Sequence, residues 1–234
     1  MAPARDDQCV DVADRLAAVR RRITAAAGAA GRDPDDVLLV AVSKFQPLSA
    51  IRAAVAAGHT TFGENRAQEL AAKLDDAPPQ ARWHFVGRLQ RNKVKQVVGR
   101  VEMIHSVDRA RLAEAIADQA RRDHVEQRVL VQVDLAGEEG KGGCAPADLP
   151  ALLERIAGLE GLRAVGLMTI PPLEADPAPM FARLADLRVR LAHAHPDLVE
   201  LSMGMSADLE AAVAHGATIV RVGTAIFGAR PRNR

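Results

Sequence analysis

The stretch VLLVAVSKFQPLSAIRAAVAAG, residues 37–58, joins two patterns. VLLVAVS (37–43) is a short apolar run rich in β-branched residues, as a strand covered on both faces requires. LSAIRAAVAAG (48–58) spaces its apolar residues like a helix and stops at Gly58. A buried strand followed by a helix is the opening of a βαβ unit, and such units build parallel sheets. The fold therefore turns on whether this unit repeats.

It repeats along the chain. Strand-like segments TTFGE (60–64), RWHFVG (82–87) and EMIHSV (102–107) alternate with helical segments RAQELAAKL (66–74), LQRNKVKQVVG (89–99) and RARLAEAIADQARRD (109–123). RVLVQVDL (128–135), LRAVGLMTI (162–170), LVELSMG (198–204) and TIVRVGT (218–224) read as strands. Between and after them, 146–158, 177–194 and 206–216 read as helices. Ahead of the first unit, Val12, Leu16, Val19 and Ile23 form one apolar stripe, predicting an extra N-terminal helix that Gly28 and Gly31 end. Eight such strands in 234 residues predict the α/β class and a (β/α)8 TIM barrel, a single domain over 1–234. A doubly wound open sheet is the alternative, weakened because no Gly-x-Gly-x-x-Gly follows the first strand. GEEGKGG (137–143) lacks the spacing of a phosphate loop and reads as a flexible loop.

The 31 basic residues nearly balance the 30 acidic ones, leaving a net charge of +1. No basic footprint for nucleic acid is implied, and Arg20–Arg22 and Arg121–Arg122 read as solvated helix faces. Cys9 and Cys144 are too few for a disulfide framework or a zinc site. MAPARDDQCVD has no apolar signal core, and no run is long enough to span a bilayer. A cytoplasmic protein, monomeric and without a metal, is expected. The chain contains no tyrosine.

In a barrel of this type the site forms at the C-terminal ends of the strands. Those ends carry Lys44, Glu64-Asn65, His84 with Arg88, His105-Ser106, Met168-Thr169, Ser202 with Ser206, and Arg221, Gly223 and Thr224. Lys44 shares parity with Val40 and Val42, so it extends one face of its strand. In a desolvated mouth its amine would be a nucleophile for a carbonyl. A lysine at a strand end also commonly snorkels to solvent. Ser206 precedes a helix and reads as its N-cap or as an anion ligand, although Asp208 and Glu210 would oppose an anion unless directed away. Gly223 and Thr224 lie where barrel phosphate sites form, after strands seven and eight. Arg221 alternates with Gly223 toward the mouth. Together these residues imply a ligand with both a carbonyl and a phosphate, either pyridoxal phosphate or a sugar phosphate.

The segments AVSK, FGEN, WHFVGRLQRNK, GLMTI, LSMGMSADLEAA and RVGTAIFGAR occur in this order between about Val37 and Arg230. In them the chain resembles the pyridoxal phosphate homeostasis protein family, which is similar to the barrel domain of alanine racemase. The resemblance implies pyridoxal 5′-phosphate held as a Schiff base on Lys44. It implies that Ser206, Gly223 and Thr224 bind the phosphate. Arg221 would face the pyridine nitrogen and keep it unprotonated. Asn65 and Met168 would line the ring pocket. It assigns no role to Arg88, His84 or Asn92. Phe62 and Arg66 depart from the pattern, since relatives often carry tyrosine in this segment.

The resemblance implies a binding protein acting in vitamin B6 homeostasis rather than an enzyme, with pyridoxal-phosphate-dependent apoenzymes as partners. A racemase needs a second base opposite the lysine, in racemases a tyrosine from a further domain, and this sequence has no tyrosine. The alternatives are a weak racemase-type enzyme on the same cofactor, and a cofactor-free Schiff-base aldolase with Glu64 and His84 as its acid/base pair.

Overall fold

The computed structural model describes residues 6–137 and 142–228. Strands β1 (Leu38–Val42), β2 (Thr61–Glu64), β3 (Arg82–Phe85), β4 (Met103–Val107), β5 (Gln127–Gln132), β6 (Leu162–Met168), β7 (Glu200–Ser202) and β8 (Ile219–Val222) pair in chain order. All the pairings are parallel, and β1 meets β8 from Leu38↔Ile219 to Ala41↔Val222, closing the barrel. The repeat that begins at residue 37 thus gives the expected (β/α)8 architecture. Helices α1 (Asp6–Ala29), α2 (Leu48–Ala56), α3 (Ala67–Leu74), α4 (Ala110–Arg122), α5 (Leu149–Ala157), α6 (Ala178–Leu191), α7 (Leu209–Ala214) and α8 (Thr224–Phe227) surround it.

One helix is corrected. The segment 89–99 forms a 3-10 helix over Arg91–Gln96 instead of an α-helix. Within it Val94 is buried, and Leu89 before it and Val97 and Val98 after it are buried too. The buried spacing, 94, 97 and 98, is what suggested an α-helix, but its β-branched valines favour helix poorly and the segment makes only short 3-10 turns.

Two apolar layers hold the molecule together. Between sheet and helices lies the larger one, which includes Phe62, Trp83, Leu112, Ile116 and Phe181. Inside the barrel, Val40, Met103, Leu130, Val165, Met168 and Ile219 form a second cluster. Helix α1 adds to the outer layer through Val12, Leu16, Val19 and Ile23, all buried. Its basic run is more than a solvated face: Arg20 donates to Gly58 O at 3.0 Å, and Arg22 pairs with Glu210 of α7 at 2.6 Å. At the end of α2, Gly58 takes φ +73° so that His59 N–H can donate to Ala54 O at 3.0 Å.

Of the loop at 137–143, residues 138–141 lie outside the described residues. Just after it, Cys144 bridges to Val133 and is buried. Burial pushes its thiol up to about 12. In a Cys9→Ser background the native protein should therefore give no reaction with a thiol reagent at pH 8, and one thiol after denaturation. Rapid modification of the native protein would contradict this burial.

Candidate functional site

β1 ends at Val42, and the chain turns through Ser43, Lys44 and Phe45. The Lys44 side chain is exposed, not desolvated as its position on the strand suggested, because the strand stops two residues before it. Its neighbours are held tightly. Buried Lys73 of α3 donates to Ser43 O at 2.8 Å, Glu64 Oε1 at 2.6 Å and Glu69 Oε1 at 2.8 Å. Ser43 Oγ donates to Glu64 Oε1 at 2.7 Å, and Phe45 N–H donates to Glu69 Oε1 at 2.5 Å. Phe45 sits at φ +63°, a conformation that needs such support, and the Arg66 guanidinium lies 4.9 Å from its ring centre. Glu64 is fully buried, and that burial raises its carboxyl pKa despite Lys73.

The ends of β7 and β8 meet. Ala225 N–H donates to Ser206 Oγ at 3.3 Å, which brings Ser206 beside Gly223 and Thr224. Ser206 is not the N-cap of α7. That position belongs to Asp208, whose Oδ1 accepts from Met205 N–H at 2.5 Å. Glu210 is drawn to Arg22, so the acid nearest this turn on α7 is neutralised by α1. A Cβ on Gly223 would stand 3.1 Å from Val42 O, so glycine leaves the backbone open where β8 passes β1.

Arg221 lies inside the barrel and is 5% exposed. Its Nη1 donates to Ser202 Oγ at 2.6 Å and its Nη2 to Thr169 O at 3.0 Å. Burial lowers its pKa to about 10, so it is charged at neutral pH. His105 Nδ1 is 2.9 Å from Ser202 Oγ, and His84 Nδ1 is 2.9 Å from His105 Nε2. β4 and β7 are not neighbours in the sheet, so the bond from His105 to Ser202 crosses the barrel interior.

Asn65 lines a cleft of about 510 Å³ with Phe45, Arg66, Phe85 and Arg88, and its Oδ1 is buried without a partner among the described residues. Among the described residues no group of His, Cys, Asp and Glu is placed to hold a metal ion. No described helix is long and apolar enough to cross a membrane.

A protein of Pseudomonas aeruginosa named pyridoxal phosphate homeostasis protein is 47% identical over 222 residues, covering 94% of this chain and 96% of the relative. The chain belongs to the pyridoxal phosphate homeostasis protein family. The family model for the alanine racemase N-terminal domain matches residues 15–231. Among solved structures, PipY of Synechococcus elongatus with PLP bound is 40% identical, with a TM-score of 0.82 over 93% of this chain and 100% of that one. An unknown protein from Bifidobacterium adolescentis is 36% identical, with a TM-score of 0.91 over 95% of this chain and 96% of that one.

Against the residues that the family resemblance named, Ser206, Gly223 and Thr224 come together. Asn65 stands at the mouth, and Met168 packs in the apolar barrel interior. Phe62, at a position where the family often differs, is fully buried in the outer core against Trp83. The aldolase pair does not form, because Glu64 is engaged by Lys73 and Ser43 while His84 bonds to His105. Sequence reasoning missed Lys73 and Glu69. The available signal was their i,i+4 spacing behind a lone acid, Glu64, in an apolar strand.

Proposed function

We propose that the chain binds pyridoxal 5′-phosphate covalently through Lys44 and serves vitamin B6 homeostasis in the cytoplasm, as a monomeric single-domain barrel that hands cofactor to apoenzymes without turnover. The observation that carries this reading is the placement of Lys44. Its flanking peptides are fixed by Lys73 and Glu69 while the residue is exposed, and β8 beside β1 runs on into Gly223 and Thr224. The cofactor, when bound, supplies an aldehyde to an amine and a phosphate to donors. On this chain Ser206, Gly223 and Thr224 would hold the phosphate, and Asn65, which lines the cleft with Phe45, would stand beside the ring. Arg221 would face the ring nitrogen as a donor only, leaving it unprotonated and the ring a weak electron sink. That arrangement and the absence of tyrosine favour retention over racemisation. The name of the Pseudomonas relative and the PLP-bound PipY support the same reading.

The test is the visible spectrum of the purified protein beside Lys44→Ala. The expected result is a band that borohydride bleaches, with a stable adduct on Lys44, and no such band in the variant. A colourless protein that fails to take up added cofactor would overturn the reading. Exchange of an amino acid's α-hydrogen by the loaded protein would replace homeostasis with turnover.

A further inference from the structure

A buried arginine normally meets a carboxylate, yet Arg221 donates to two neutral oxygens, Ser202 Oγ and Thr169 O. The next groups form a line. From Ser202 it runs through His105 and His84 to Glu102, whose Oε2 lies 3.7 Å from His84 Nε2. Ser202 and His105 are fully buried and His84 is 2% exposed, whereas the Glu102 side chain is 44% exposed. The line therefore leads from the centre of the barrel out to the N-terminal ends of the strands.

The protons in this line have one consistent arrangement. Arg221 can only donate, so its Nη1–H occupies a lone pair of Ser202 Oγ. The Ser202 hydroxyl proton then needs an acceptor, and His105 Nδ1 is in reach at 2.9 Å. His105 must carry its proton on Nε2 and donate to His84 Nδ1 at 2.9 Å. His84 in turn carries its proton on Nε2, toward the Glu102 carboxylate. The reverse arrangement makes both Arg221 and His105 donate to Ser202 Oγ and leaves the serine proton without an acceptor. A buried donor without an acceptor is costly. Each dipole in the line points its negative end toward Arg221.

We infer that Ser202, His105 and His84 are positioning residues, a one-directional hydrogen-bond line that crosses the barrel and holds the Arg221 guanidinium in place, with the Glu102 carboxylate 3.7 Å from its far end as an ionic neighbour. The effect on the cofactor rests on the proposed placement of Arg221 at the ring nitrogen. The line itself does not.

Two measurements separate these. In the cofactor-free protein, long-range ¹H–¹⁵N spectra should show His105 and His84 with the proton on Nε2 and with Nδ1 as the acceptor. The Arg221 Nη groups should give slowly rotating, protected signals that average in Ser202→Ala and return in Ser202→Thr. In the cofactor-loaded protein, Ser202→Ala and His105→Phe should shift the visible band and weaken uptake roughly tenfold, since a hydrogen bond to a charged group is lost. Leu130→Val, an interior change outside the line, should lower stability without moving the band. Either ring protonated on Nδ1, or Arg221 signals unchanged in Ser202→Ala, would overturn the line even for a protein that takes up no cofactor. A band that moves no further in Ser202→Ala than in Leu130→Val would overturn its action on the ring.

Discussion

Lys73→Met is expected to lower the unfolding free energy by about 3–5 kcal/mol, the usual cost of removing one partner from a buried ion pair. The reason lies in what remains. Glu64 is fully buried and shares the Lys73 ammonium with Glu69. Methionine fills much of the space and keeps the helix, but it offers no donor. Among the described residues Glu64 Oε2 already has no partner, so the variant leaves Glu64 with only the Ser43 hydroxyl. Burial already raises the Glu64 pKa, and the variant raises it further. A protonated Glu64 escapes much of the penalty, so the loss should be smaller at pH 5 than at pH 8. Glu64→Gln added to Lys73→Met should recover part of it. Urea unfolding at the two pH values checks this, and a small loss that is equal at both would sink the account. The same ammonium holds Ser43 O, next to Lys44. Lys73→Met should therefore also slow covalent uptake of pyridoxal phosphate in the borohydride assay.

The second large effect is on acid stability. His59 is buried between α2 and β2, with Nε2 donating to Thr61 O at 2.7 Å and its ring edge-on to Phe62. Burial pushes its pKa down to about 4, with Arg20 adding to the shift, while the unfolded chain keeps a value near 6.5. Between these values the unfolded state binds a proton that the folded state does not. Stability is therefore complete above about pH 6.5 and is lost as pH falls toward 4, by about 3 kcal/mol in all. His59→Gln keeps a donor for Thr61 O and removes the titration. Its unfolding free energy should fall less steeply than that of the parent between pH 7 and pH 4. Parallel profiles would show that His59 is not the group responsible. His105, also buried and lowered, contributes in the same direction in both proteins and cancels in the comparison.

Much of the fold was legible because strand and helix periods are local. Each strand is a short apolar run and each helix has its own stripe, so the repeat from residue 37 predicted the barrel. The 89–99 segment is the exception, since its valines at 94, 97 and 98 have helical spacing but low helix propensity, and it forms only a 3-10 helix. That the residues proposed for the phosphate would be neighbours was legible too. Ser206 and Gly223-Thr224 follow neighbouring strands, and strand order alone makes their loops adjacent.

The sequence by itself determined the alternation of elements, the family, and the set of residues at the strand ends. Those depend on chain order, spacing and residue type. Only the tertiary structure decided how these residues are supported. Whether Lys44 is buried depends on where β1 stops, and the Ser43 and Phe45 contacts depend on α3, which folds back to place Lys73 beside them. The line from Arg221 to His84 joins residues from β8, β7, β4 and β3 across the barrel. No periodicity encodes such contacts, because hydrogen bonds between strands that are not neighbours form only after the sheet has closed.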